Sequence, residues 1–256
     1  MAKTTPYTYR ENEAVKRPIL REAFWGVDWL SLRASWVYYG LGVPRGDRSA
    51  VVLIPGFLGN DYYLTELYLW LRRIGYKPYM SRIGWNADCL DKLGRRLIET
   101  VERAKADTGR PVHLIGHSLG GILARSVAAQ REQSVRSVIA LGSPFRGIRS
   151  HPMVKWTSEQ VRARILRENQ NEQPACYTGY CNCETVKAWE SSFPAAISQT
   201  AIYTKTDGIV DWRVCVDSDG ANNYEVTGTH VGLVVNAQVY RVIAARLSNA
   251  GSAGIK

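Results

Sequence analysis

Several broad classes are excluded by what this sequence lacks. Apolar residues make up 45% of the 256 positions, yet no run approaches the roughly 20 consecutive apolar residues of a membrane-spanning helix. The first twenty residues carry scattered charges. They lack the apolar core and small-residue cleavage site of an export signal, so a cytoplasmic location is expected. Cysteines number only five, and an odd count without an export signal argues against a disulfide framework. Cys176, Cys181 and Cys183 nevertheless cluster. A local disulfide, reduced thiols and a metal site all fit them, although the spacing matches no standard zinc finger and no histidine follows nearby. Basic residues are spread out rather than interleaved with aromatics, so no nucleic-acid groove is expected and the formal charge of +10 reads as a solvated basic surface. Internal repeats and low-complexity segments are absent. Histidine is scarce as well, at four, which leaves few residues able to act as a general base near neutral pH.

What is present alternates between strand and helix, the pattern of an α/β domain with a mostly parallel sheet and helices on both faces. The length fits one such domain over 1–256 with a modest insertion. Strands are expected at 51–54, 76–80, 112–116, 135–141, 201–204 and 224–226. Helices are expected at 61–73, stopped by Gly75, at 88–105, at 120–129 and at 236–247. Residues 146–198 separate two strands by far more than one crossover needs. They contain a basic helix near 158–168, and we read them as a cap or lid above the C-terminal ends of the strands. The stretch from Phe24 through Tyr39 is rich in tryptophan and tyrosine. Its spacing predicts a helix packed on the domain, with docking at a lipid interface as the alternative.

The chemistry centres on Gly116-His117-Ser118-Leu119-Gly120, which follows an apolar strand and opens a small-residue helix. This Gly-x-Ser-x-Gly turn has the form of a nucleophile elbow, where crowding demands nearly side-chain-free residues two before and two after the serine. A serine hydroxyl is a weak nucleophile and needs a base within hydrogen-bond reach. Among the four histidines, His113 lies inside a strand, His117 adjoins the serine but is expected to point elsewhere, and His151 falls in the insertion. His230 remains, in a glycine-flanked loop between the last strand and the last helix. The base needs an orienting carboxylate, and the order Ser, Asp, His confines it to the interval between 118 and 230. Asp207, just after a strand, is preferred over Asp211, which is expected to be structural or to line the site. The N–H groups of Phe57 and Leu119 are the expected oxyanion donors. Asp217 and Asp219 read as a solvated acidic turn rather than a calcium site, and no metal ligands are assigned.

With these segments in view, the chain resembles the α/β-hydrolase superfamily, and within it the bacterial lipases and esterases. The resemblance rests on 51–60, 111–125, 141–147, 203–212 and 228–236, in family order. Gly142-Ser143-Pro144-Phe145 is similar to the family's Gly-Thr-Pro-His strand-end segment, and Thr206-Asp207-Gly208 to its acid loop. The resemblance implies hydrolysis of carboxylic esters through an acyl-enzyme, by Ser118, His230 and Asp207, without a cofactor. Two positions depart from the pattern: Pro55 stands where the oxyanion loop usually has histidine, and Phe145 where histidine is common. Phe57, Leu58 and Trp212 would supply an apolar acyl pocket, so lipid-like or small ester substrates are expected. Acyl transfer, thioester hydrolysis and a catalytically silent binding module are the alternatives on the same fold.

Overall fold

The computed structural model describes residues 18–168, 183–218 and 220–252. Six parallel strands form one sheet: β1 (Ala50–Ile54), β2 (Lys77–Met80), β3 (Val112–His117), β4 (Val135–Leu141), β5 (Ser198–Tyr203) and β6 (Asn223–Glu225), in the spatial order β2-β1-β3-β4-β5-β6. The helices are α1 (Trp25–Arg33), α2 (Thr65–Ile74), α3 (Leu90–Thr108), α4 (Leu119–Gln130), α5 (Pro152–Glu168), α6 (Glu184–Glu190) and α7 (Ala237–Ser252).

Alternation along the strands builds two cores. Val51 and Leu53 of β1 face one side, with Ile115, Ile139 and Ile202, and are covered by Leu32 of α1, Leu67 and Trp70 of α2 and Tyr240 of α7. Val52 and Ile54 face the other side, with Leu114 and Val138, beneath Leu93, Leu97 and Val101 of α3 and Leu123 and Val127 of α4. Central strands buried on both faces must be apolar throughout, which is why β1 reads Ala-Val-Val-Leu-Ile. The chain enters the sheet at β1, moves outward to β2 and returns past β1 to β3. A crevice therefore opens at the C-terminal ends of β1 and β3, where α2 leaves toward one face and α4 toward the other.

The expected strands and helices all form, with shifted ends. The expected helix at 61–73 begins as a 3-10 turn, Asp61–Leu64, and then becomes α2. It stops at Gly75, whose φ of 102° few residues but glycine adopt. The second helix, expected at 88–105, runs as α3. The insertion helix starts at Pro152 rather than 158, because a proline ring is tolerated in the first helical turn, where its missing N–H has no intrahelical partner. The last helix starts one residue later than expected, because Asn236 Oδ1 accepts from the N–H groups of Gln238 (2.8 Å) and Val239 (3.3 Å). The strand expected at 201–204 is β5, and the one expected at 224–226 is β6.

Between β4 and β5 the chain forms α5 and α6. α6 packs on the scaffold beside α4: Ser126 Oγ donates to the carbonyl of Thr185, and buried Trp189 donates from Nε1 to the carbonyl of Phe145. Only Ile165 of α5 is buried, near Cys89. Cys176 and Cys181 lie outside the described residues, as does Asp219. Among the described residues no helix is long and apolar enough to cross a membrane.

Candidate active site

The elbow forms at the end of β3. Ser118 has φ 52° and ψ −122°, a backbone conformation that non-glycine residues rarely hold. Its N–H donates to the carbonyl of Leu141 on β4 at 2.8 Å, and its own carbonyl accepts from Gly121 at 3.0 Å. The flanking glycines answer to sterics. A Cβ at Gly116 would overlap the backbone of Gly120 and Gly121, and one at Gly120 would overlap the carbonyls of Ile54 and Pro55. The first turn of α4 therefore presses directly on the loop after β1.

That loop is held by residues the sequence did not single out. Asn86, fully buried, donates from Nδ2 to the Pro55 carbonyl at 2.7 Å and exchanges backbone hydrogen bonds with Leu58 and Gly59. Tyr63 Oη accepts the Gly56 N–H at 2.5 Å. These contacts do the local work around Pro55, where the family pattern has histidine. A Cβ built on Gly56 would lie 3.1 Å from Ser118 Cβ, so the loop backbone runs against the nucleophile turn. Neither the Phe57 nor the Leu119 N–H donates a hydrogen bond among the described residues. Leu58 is 42% exposed and holds a φ of 59°.

Asp207 and His230 meet at the ends of β5 and β6. His230 Nδ1 lies 2.6 Å from Asp207 Oδ2, and both residues are 2% exposed. Asp207 Oδ1 is occupied separately, by the N–H groups of Ile209 (2.8 Å) and Val210 (2.7 Å). With both oxygens engaged, the carboxylate has one orientation, and it holds a proton on His230 Nδ1. Nε2 is left as the basic nitrogen. Burial lowers the proton affinity of His230, but the charge and hydrogen bond of Asp207, assisted by Glu22, outweigh it and leave the imidazole above its usual value. Among the described residues no hydrogen bond joins Ser118 Oγ to His230.

Asp211, expected to be structural or to line the site, caps a turn and faces an arginine. Its Oδ1 caps the N–H of Arg213 at 3.0 Å, and Arg149 lies 3.9 Å from Oδ2. Trp212 stacks on Tyr203 with ring centroids 5.5 Å apart and lies beneath Lys205 and Arg213. The Asp217 carboxylate accepts from Gln199 Nε2, and its backbone N–H donates to Asn223 Oδ1 at 2.6 Å. His113 is a core residue whose Nδ1 lies 2.7 Å from Ser137 Oγ, and His151 receives the Met153 N–H at the start of α5.

His117 directs neither ring nitrogen at Ser118, and both are hydrogen-bonded elsewhere. It turns inward, 6% exposed, and its ring lies 4.7 Å from that of His230. Nε2 donates to the backbone carbonyl of His230 at 3.0 Å, because a carbonyl can only accept. Nδ1 must then accept, and it receives the Tyr63 O–H at 2.9 Å. Burial, and then the charge of His230, lower the His117 pKa to about 3, so the ring is neutral at ordinary pH. Gly56, Tyr63, His117 and the His230 backbone thus form one hydrogen-bonded chain from the loop after β1 to the His230 loop. The only sequence signal for it was adjacency to Ser118, which carries no information about side-chain direction.

The chain is similar to several known proteins. The palmitoyl protein thioesterase family profile matches residues 65–200. A triacylglycerol lipase of Burkholderia plantarii is 33% identical over 131 residues, which is 48% of this chain and 37% of that lipase. A triacylglycerol lipase of Pseudarthrobacter phenanthrenivorans is 36% identical over 109 residues, 39% of this chain and 34% of that enzyme. The match therefore spans little more than a third of those relatives' length. Among solved structures, the mature Bacillus licheniformis lipase superposes with a TM-score of 0.54 at 14% identity, covering 80% of this chain and 94% of that one. The sheet order, the elbow at the end of β3 and a family profile spanning more than half of the 256 residues make this chain an α/β-hydrolase-fold member of the palmitoyl protein thioesterase family.

Proposed function

We propose that the protein hydrolyses carboxylic esters of apolar acyl groups through an acyl-enzyme on Ser118. The observation that carries this reading is the buried 2.6 Å Asp207–His230 pair at the same edge of the sheet as the strained Ser118 turn. Ser118 Oγ attacks the carbonyl carbon while His230 Nε2 takes its proton. The resulting oxyanion is stabilised by the Phe57 and Leu119 N–H groups, each such donor being worth about 2.7–4 kcal/mol in acyl-transfer enzymes. Collapse expels the alcohol, which leaves with the proton from His230. Water then repeats the two steps on the acyl-enzyme and releases the acid. No cofactor enters any step.

The similarity to triacylglycerol lipases favours an oxygen ester. The family profile, a thioesterase, favours the same chemistry with a thiolate leaving group, and this is the second reading. Product analysis with a p-nitrophenyl ester and an acyl-CoA of equal chain length, side by side, ranks the two. Ser118→Ala lowers turnover of the preferred substrate by on the order of 10⁴-fold or more. Turnover close to wild type would refute the proposal.

The substrate side is drawn from exposed apolar surface. Leu58, Tyr62 and Trp85 surround the loop after β1, and Met153 and Trp156 project from α5; all are at least 42% exposed. We assign α5 the role of the expected cap, and Leu58 a place in the acyl-binding surface. Trp212, partly buried at the start of the 3-10 turn Trp212–Val214, remains a candidate for that surface.

A further inference from the structure

A segment that precedes the sheet in the chain ties together the two loops bearing Asp207 and His230. Glu22, in the 3-10 turn Ile19–Phe24, is a carboxylate only 8% exposed. Its Oε1 accepts the N–H of Gly208 at 3.0 Å, and its Oε2 accepts the N–H of Val231 at 2.9 Å. Gly208 directly follows Asp207, and Val231 directly follows His230. One side chain therefore spans from the residue after the acid to the residue after the base.

Asp28 of α1 adds a second anchor on the His230 loop. Its Oδ2 accepts from the N–H and the O–H of Thr229, both at 3.2 Å, and its Oδ1 accepts from Asn236 Nδ2 at 3.3 Å. The loops are shaped for these carboxylates. A Cβ on Gly208 would stand 3.0 Å from Glu22 Oε1, and one on Gly232 would overlap the Asp28 carboxylate. A buried carboxylate is unfavourable unless its oxygens are satisfied, and an apolar residue of similar size would pack as well at less desolvation cost. Packing alone does not call for Glu at this position.

We propose that Glu22 is a positioning residue that fixes the relative placement of Asp207 and His230. The proposal rests on the reading of Ser118, His230 and Asp207 as the catalytic triad. By joining Gly208 and Val231, Glu22 sets the distance between the two loops. It thereby keeps His230 Nδ1 on Asp207 and Nε2 free for the Ser118 proton. Its charge acts in the same direction as that of Asp207 on the imidazole. The other titratable neighbours are His117 from β3, Asp28 beside Thr229, and Cys215 on the Asp207 side.

The test uses the full chain and a soluble p-nitrophenyl ester. Glu22→Gln keeps the size, removes the charge and sets an NH₂ against one of the two N–H donors. It is expected to lower kcat by about tenfold or more, since small misplacements of reacting groups are costly, while KM changes by less than about twofold. The acid limb of kcat/KM is expected to move to lower pH. Gly208→Ala keeps the charge and displaces the carboxylate. It is expected to lower kcat with the acid limb unmoved, and the double variant should be no slower than the slower single one. Should Glu22→Gln not fold, Gly208→Ala alone decides through its kcat. Unchanged kcat and acid limb in folded variants would overturn the proposal, as would strictly additive losses. Ser118→Ala separates the two claims. Retained activity there sinks the triad reading, whereas an inactive Ser118→Ala beside unaltered Glu22 and Gly208 variants sinks only the positioning role.

Discussion

His117 and His230 lie ring against ring, yet their environments drive them in opposite directions. Burial without a carboxylate partner takes His117 down to about 3, while Asp207 holds His230 above the usual 6.5. His117 is thereby a permanent neutral link in a hydrogen-bond chain, and His230 is the residue whose protonation state changes. On the proposed mechanism His230 must be neutral to accept the Ser118 proton, so kcat/KM is expected to fall on the acid side with a midpoint above 6.5, measured as a pH–rate profile. Asp207→Asn is expected to cost about 10⁴-fold in kcat by presenting the wrong tautomer of the base. Asp211→Asn, which loses part of a turn cap, is expected to cost less than tenfold. The opposite ranking in a steady-state assay would move the acid to Asp211. Tyr63→Phe orphans the Gly56 N–H and His117 Nδ1 together. Denaturant titration should show a loss of about 1–3 kcal/mol in stability.

At the scale of elements, periodicity explains the scaffold and fails at the edges. Leu93, Leu97, Val101 and Ala104 repeat at helical spacing in α3 and are all fully buried. Leu97→Ala is expected to destabilise the fold by about 2–5 kcal/mol through the cavity it leaves, read by the same titration. α1 was harder to read because it serves two environments. Trp29, Leu32 and the carboxylate of Asp28 face the domain, while Phe24, Val27 and Leu30 are about 60% exposed along the other side. A helix with apolar residues all round gives no amphipathic signal. That outward face on a chain of charge +10 suits an anionic lipid surface. If it docks there, Phe24→Ser with Leu30→Ser will reduce sedimentation with anionic phospholipid vesicles while sparing soluble-ester turnover. Equal sedimentation of both proteins would rule the interface out.

For the whole molecule, buried histidines set the response to acid. His113 is held at about 4 by burial and then by Arg136, and His117 at about 3, against 6.5 in an unfolded chain. Between 6.5 and those values the unfolded state binds protons that the folded state refuses, so stability falls as pH falls through that window. His230 has the opposite sign: its raised value adds stability that is fully present below 6.5 and lost as pH rises through the folded value. Below 6.5 the His230 contribution is already complete and adds no slope, so Tm is expected to drop steadily from pH 6.5 toward 4, with a shallower slope in His113→Asn. The sequence by itself determined the alternating strands and helices, the elbow around Ser118, and the histidine and aspartate that pair at the ends of β5 and β6. Those are local patterns: strand burial, glycine crowding, and a chain order with few histidines to choose among. Only the tertiary structure decided that His117 turns inward to Tyr63, that Asn86 holds the loop after β1, and that Glu22 joins the loops of Asp207 and His230. Each of these is a contact between segments far apart in the chain, made by side chains whose direction depends on how the elements pack, and spacing along a sequence carries no record of that.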